Sequence, residues 1–199
     1  AMLNDGQDYA FEIDQYDWFM RTLDGVREVA EYRPDVKLSL EYKMYEPRVH
    51  CLLNNAGKMG YFAKMTGCAN VGVTLDTGHA FLANEVPADS ASFLAADNRL
   101  FYVHINDNPR NFDWDLMPGV NNFLEFVEFA YTLNKLGYDG WITADVFPGR
   151  YDQKIIMEKT FEWMDYIFAI ADRIDMKKLR QLQEQNATFE ILDYVKSLI

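Results

Sequence analysis

Residues 71–79 read VGVTLDTGH, and the fold follows from them: six nearly continuous apolar or β-branched residues end on Asp76 and break into Thr77-Gly78-His79. A short apolar run of this kind suits a strand covered on both faces, as in a parallel sheet. Three more runs share the shape. Residues 37–42 (KLSLEY) precede it, and 100–105 (LFYVHI) and 140–146 (GWITADV) follow it. Successive starts lie 34, 29 and 40 residues apart, which leaves room for a helix in each crossover.

Helical patterns fill part of that space. Residues 90–97 begin on a Ser cap. Residues 122–136 carry Phe123, Phe126, Val127, Ala130 and Leu133 at helical spacing before Gly137. Residues 152–174 form a longer amphipathic stretch, and 16–32 read as a helix ahead of the first strand, stopped by Pro34. Two last helices are expected over 176–185 and 188–198. The alternation predicts an α/β fold with a parallel sheet: a partial (β/α)8 TIM barrel of about four β/α units plus C-terminal helices. A whole barrel typically takes about 250 residues. All 199 residues are expected to form a single domain, with a half-barrel over 1–175 and a helical tail over 176–199. A small open α/β sheet of other topology is the alternative.

Composition narrows the function classes. Half the residues are hydrophobic and a quarter charged, as in a folded globular chain. The net charge of −12 repels phosphate backbones and anionic lipid, so neither nucleic acid nor membrane is an expected partner. No transmembrane run and no signal-peptide pattern stand out. Cys51 and Cys68 make neither a disulfide framework nor a metal pair. A cytoplasmic setting is the expectation. No glycine-rich phosphate loop follows any strand.

Each strand-like run ends in a metal-capable residue: Glu41, Asp76, His104 and Asp145. In a parallel sheet these ends share one edge, where barrel active sites are built. Three carboxylates and an imidazole suit Mn²⁺, Mg²⁺ or Co²⁺. A single strand-end acid is more often a solvated carboxylate or helix cap; four in the same position weaken that reading. A second set overlaps the first: Asp76 with His79, Asp113 and Asp115. The two later acids also fit turn chemistry beside Pro118-Gly119, and His79 fits a packed histidine. Lys43 lies two residues past Glu41, on the same side of an extended chain; it reads as a cation for a substrate oxygen or as a snorkelling lysine. Trp114 is a pocket wall or a packed aromatic. Arg150 reaches a substrate hydroxyl or pairs with Asp152. His50 stands near a supposed helix start and takes no role.

Together EYKMYEPR (41–48), LDTGH (75–79), HINDNPRNFDWDLMPG (104–119) and ADVFPGR (144–150) resemble the fifth- to eighth-strand segments of the xylose-isomerase-like TIM barrel superfamily, most closely its rhamnose isomerase branch. The resemblance runs over about residues 3–175. It implies a structural metal on Glu41, Asp76, His104 and Asp145. It implies a second, catalytic metal on Asp76, His79, Asp113 and Asp115, and Lys43 against the carbonyl side of an open-chain sugar. Lys43, Asp113 and Asp115 are then the catalytic candidates, and Lys43, Trp114 and Arg150 the substrate contacts. The implied cofactor is a divalent metal, Mn²⁺ first and Mg²⁺, Co²⁺ or Zn²⁺ as alternatives, up to two per site. The implied reaction is aldose–ketose isomerisation by a hydride shift between C1 and C2. Asp145 in place of a glutamate, and the added Asp-x-Asp, favour isomerase over the superfamily's 3-epimerases. Three histidines are too few for its three-zinc endonucleases. Strands one to four have no counterpart, so the expected partner is a homodimer mate or an N-terminal half-barrel. The alternatives are a non-catalytic truncated half-barrel held by oligomerisation, and a sugar epimerase or polyol dehydratase.

Overall fold

The computed structural model describes residues 6–46, 49–147 and 149–199. Its elements run β1 (Gly6–Gln7), α1 (Gln15–Tyr32), β2 (Leu38–Glu41), β3 (Tyr45–Glu46), β4 (Val49–Cys51), α2 (Ala56–Met65), β5 (Val71–Asp76), α3 (Thr77–Leu82), α4 (Pro87–Ala96), β6 (Leu100–Ile105), α5 (Phe123–Leu136), β7 (Ile142–Ala144), α6 (Gln153–Asp172), α7 (Met176–Glu184) and α8 (Thr188–Lys196). The main sheet has the order β2-β5-β6-β7, and every neighbouring pair in it is parallel. This is the expected alternation of strand and helix, in a partial barrel. Among the described residues no helix is long and apolar enough to cross a membrane.

The strands alternate as the pleat requires. Leu40, Val71, Val73, Leu75, Val103 and Ile105 are buried in the apolar core with Phe62 of α2, Phe81 of α3, Phe126 and Phe129 of α5, and Ile167 and Ile170 of α6. Phe19 of α1 meets Phe62 edge-on with ring centroids 5.3 Å apart. The other face is polar. Ser39 and Thr74 share a hydroxyl hydrogen bond of 2.7 Å, and Tyr102 and Thr143 one of 2.6 Å. Two residues further on, these four positions become Glu41, Asp76, His104 and Asp145. A one-residue register shift in the β5–β6 pairing at Val73/Thr74 sets Thr74 opposite Tyr102 and Asp76 opposite His104.

Helix starts follow local chemistry. Asp14, Asn55, Asp152 and Asp175 each accept a backbone N–H as N-cap of α1, α2, α6 and α7. Gly137, with φ of 65°, ends α5.

Several short elements differ from the sequence expectation. Helix α2 lies where none was read, because AGKMGYFAKM carries two glycines. At Gly60 the reason is close packing: a Cβ there would stand 3.0 Å from both Leu94 and Phe93 of α4. Helix α3 begins directly on Asp76, with no loop to announce it. His50 sits in a strand rather than at a helix start. It is in β4, which pairs antiparallel with β1 and β3 in a small second sheet. The last sheet strand is shorter than expected, Ile142–Ala144, so Asp145 follows its end.

Candidate metal site

The four strand ends bring Glu41, Asp76, His104 and Asp145 together. One ligand atom from each lies within 4.8 Å of all the others. Opposite ligands of a hard divalent cation stand about 4 Å apart, so the spacing fits one ion. Among the described residues this is the one group of three or more such side chains that converges in this way. His104 Nδ1 is 3.3 Å from Glu41 Oε1 and 3.7 Å from both Asp76 Oδ2 and Asp145 Oδ2.

Asp76 carries two duties. It is fully buried, and its Oδ1 accepts the His79 backbone N–H at 2.8 Å, capping α3. That cap fixes the first turn of α3 and so places the His79 ring. His79 Nδ1 then stands 3.3 Å from Glu41 Oε1, and Nε2 lies 3.1 Å from Asp113 Oδ2. Asp113 also pairs with Lys43 Nζ at 2.9 Å, and Lys43 pairs with Glu46 of β3. Lys43 and His79 therefore both hold Asp113 beside the main cluster.

The loop after β6 supplies Asp113, Trp114 and Asp115. Asp107 and Leu116 close its base by exchanging backbone hydrogen bonds of 2.9 and 3.0 Å. The buried Asp107 carboxylate ties that base to α5, accepting the Asn121 and Asn122 backbone N–H groups at 2.7 and 3.1 Å. Asp115 accepts the Phe147 N–H through its carbonyl at 2.9 Å, which joins the loop to the segment after Asp145. Trp114 is half exposed, with its ring 5.0 Å from Phe112 and its Nε1–H on Asn111 Oδ1. A cavity of about 170 Å³ opens between Lys43, Tyr45, Glu46, Phe112, Asp113 and Asp115. Larger cavities of about 530 and 570 Å³ lie around α5, α7 and α8, away from these residues. Arg150 is exposed ahead of α6, and Asp152 caps that helix.

Charge is unbalanced here. Burial raises Asp76 to about 6, against the pull of His79. Burial also raises Asp115 to about 7, helped by Asp113, Asp145 and Asp76. Burial disfavours the His79 cation, but Asp76, Asp113 and Glu41 outweigh it and raise the imidazole to about 9. Burial likewise opposes the His104 cation, but the Glu41 hydrogen bond and the charges of Glu41, Asp76 and Asp145 raise it. Burial would raise Glu41 and Asp113, yet the hydrogen bond from His104 and that from His79, with the histidine charges, leave both lowered. His79 Nδ1 and Asp113 Oδ1 are buried with no hydrogen-bond partner. Crowded carboxylates, two of them raised by burial, and a buried Asp113 oxygen without a partner fit a divalent cation.

Two supporting contacts were not legible in the sequence. Glu46 reaches Lys43 from three residues further along the chain, in β3. Tyr42, wholly buried between Glu41 and Lys43 in sequence, donates to Glu85 Oε2 at 2.7 Å, and Glu85 Oε1 accepts the Ala56 N–H at 2.9 Å. Tyr42→Phe is expected to cost about 0.5–1.5 kcal/mol of stability, because the half-buried Glu85 carboxylate loses its donor. Urea unfolding measures this, and an unchanged midpoint would remove the pair from the account.

Fold and site together define a TIM-barrel sheet with a convergent acid–histidine cluster at its strand ends. The chain belongs to the xylose isomerase-like TIM barrel family, whose profile matches residues 4–167. It is similar in fold to a xylose isomerase domain protein from Alicyclobacillus acidocaldarius subsp. acidocaldarius (23% identity, TM-score 0.68, 86% of this chain and 63% of that one). It is similar to L-ribulose 3-epimerase (22%, TM-score 0.70, 86% and 61%). A third likeness is to the IolI protein, solved with a zinc atom (18%, TM-score 0.60, 83% and 60%). The chain thus spans only 60% to 63% of the length of these structures. A search of curated proteins gives no match.

Proposed function

We propose that the chain carries the metal-binding side of a divalent-metal-dependent sugar isomerase, of the rhamnose isomerase kind, that interconverts an aldose and a ketose. The observation that carries this reading is the second arm attached to the four-residue cluster: Asp76 to His79 to Asp113 to Lys43, in contact throughout. Glu41, Asp76, His104 and Asp145 would hold one cation, Mn²⁺ in the first instance. Asp76, His79, Asp113 and Asp115 would hold a second. A bound divalent cation supplies a Lewis acid that draws charge from sugar oxygens.

The chain's own groups do the rest. The Lys43 ammonium lies at the cavity, where it places positive charge beside the carbonyl oxygen of an open-chain sugar. Asp115 lines the same cavity as Lys43, so a second cation held there would sit beside the sugar's reacting oxygens. Trp114 offers a half-exposed ring to the sugar's apolar face, and Arg150 a guanidinium to a hydroxyl. In the reaction the C2–H bond breaks with its electron pair, a C1–H bond forms, and the O2 proton passes to O1. No outside oxidant or reductant is needed. The remaining wall would come from a second copy or from an N-terminal half-barrel.

A second reading is epimerisation. It is favoured by the convergence of one ligand group rather than two and by the likeness in fold to an epimerase. Two labelled sugars separate the readings, each incubated with protein and Mn²⁺ in ordinary water. From L-rhamnose deuterated at C2, isomerase action gives a ketose that keeps the label at C1, and label lost to solvent would contradict the hydride shift. From a ketose deuterated at C3, loss of label as the C3 epimer forms would favour the epimerase. No turnover with any aldose or ketose tested would leave a non-catalytic half-barrel and overturn both.

A further inference from the structure

Asn106 lies two residues past His104, just beyond β6, and is wholly buried. Its amide nitrogen donates to both oxygens of Asp76, at 3.0 Å to Oδ1 and 2.9 Å to Oδ2. One planar NH₂ group on both oxygens fixes the plane of a carboxylate. Oδ1 also accepts the His79 N–H, so both of its lone pairs are engaged. Oδ2 keeps one, and His104 Nδ1 stands 3.7 Å from that oxygen.

Asn106 is itself locked. Its backbone N–H donates to Thr77 Oγ1 at 3.0 Å, and the Thr77 hydroxyl donates to the Asn106 carbonyl at 2.7 Å. Its side-chain oxygen is buried without a partner and faces Gly78, where a Cβ would overlap it outright. The carboxylate decides which way the amide lies: turned over, it would set its oxygen against Asp76.

We propose that Asn106 is a positioning residue that holds the Asp76 carboxylate in one plane and leaves one Oδ2 lone pair for a divalent cation, and that Gly78 is the space that admits it. This rests on reading the cluster as a metal centre.

The test is a double-mutant cycle read by Mn²⁺ titration. Asn106→Ala is expected to weaken Mn²⁺ binding by about 10–100-fold, the usual effect of losing a partner that orients a ligand. Gly78→Ala, which keeps every hydrogen-bonding group but displaces the amide, should weaken it similarly. The double variant should bind no worse than Asn106→Ala, because removing the amide removes the overlap. Unchanged affinity in Asn106→Ala, or losses that simply add, would overturn the proposal.

A metal-free readout separates the two claims. The Asn106 side-chain NH₂ protons should be protected from exchange in the wild-type chain and exposed in Gly78→Ala. Unprotected protons in the wild type refute the clamp, even if Asn106→Ala fails to fold. Protected protons in a chain that binds no Mn²⁺ refute the metal centre instead.

Discussion

Glu41→Gln combined with Asp76→Asn is expected to weaken Mn²⁺ binding by more than about 100-fold, because two of four convergent ligands lose their charge. Folding should survive. The Asn amide oxygen can still accept the His79 N–H that caps α3, as Asp76 Oδ1 does at 2.8 Å. Asp76 is wholly buried and its burial raises it to about 6, so the metal-free fold gains little from its charge. A neutral pair there relieves like-charge crowding against Asp113 and Asp115, but it turns one Asn amide N–H₂ toward the Asn106 amide that donates to both Asp76 oxygens, and it takes charge partners from His79 and His104. The urea midpoint of the metal-free double variant is therefore expected to be lower than that of the wild type, with the unfolding transition still cooperative. Calorimetric titration with Mn²⁺ and urea unfolding check the two halves. Tight Mn²⁺ binding in the double variant would remove Glu41 and Asp76 from the site.

The second large effect is a pH dependence with opposite signs in the absence and presence of metal. Asp76 is raised to about 6 and Asp115 to about 7, each chiefly by burial. The folded chain binds these protons more tightly than the unfolded chain does. Their stabilisation is complete below the unfolded carboxylate value, near 3.8, and is lost as pH rises through about 6 and 7. His79 has the same sign: raised to about 9 from 6.5, it stabilises below 6.5 and loses that contribution as pH rises through about 9. Glu41 and Asp113 are lowered, so they act in the opposite direction only at acid pH. Metal-free stability is thus expected to fall between pH 5 and 9.

Cation binding needs the ligands deprotonated, so affinity rises over the same range. Each tenfold gain in affinity adds about 1.4 kcal/mol with cation in excess, or about 3–6 °C in Tm for a chain of this size. The increase in Tm on adding Mn²⁺ should be at least that much larger at pH 8 than at pH 5.5. Thermal melts at both pH values measure it. A metal-free Tm that climbs toward pH 9, or a Mn²⁺ shift independent of pH, would contradict the charge balance described for the site.

The sheet was legible because its signal is local. Strands β5 and β6 coincide with the runs at 71–76 and 100–105, since near-continuous apolar residues buried on a helix layer leave little ambiguity. The strand-end residues follow from period-two alternation and a common strand direction. What depended on contacts far apart in sequence was hidden. Helix α2 is built around a packing glycine, which reads as a helix breaker until Leu94 and Phe93 are seen against it. Strands β3 and β4 are only two and three residues long, too short to carry a strand pattern, and the pairing of β4 with β1 is a contact across more than 40 residues. Asn106 stood inside HINDN, but only the close approach of α3 to the end of β6 gives its amide a purpose.

The central claim is that these four strand ends hold a divalent cation. Native mass spectrometry of the chain after incubation with Mn²⁺ tests it most directly, because it counts metals and chains in the same species. At least one Mn²⁺ per chain is expected, and two if the His79–Asp113–Asp115 arm also fills. None is expected in Glu41→Gln/Asp76→Asn. A wild-type chain that stays metal-free in excess Mn²⁺, whatever its chain count, would contradict the claim.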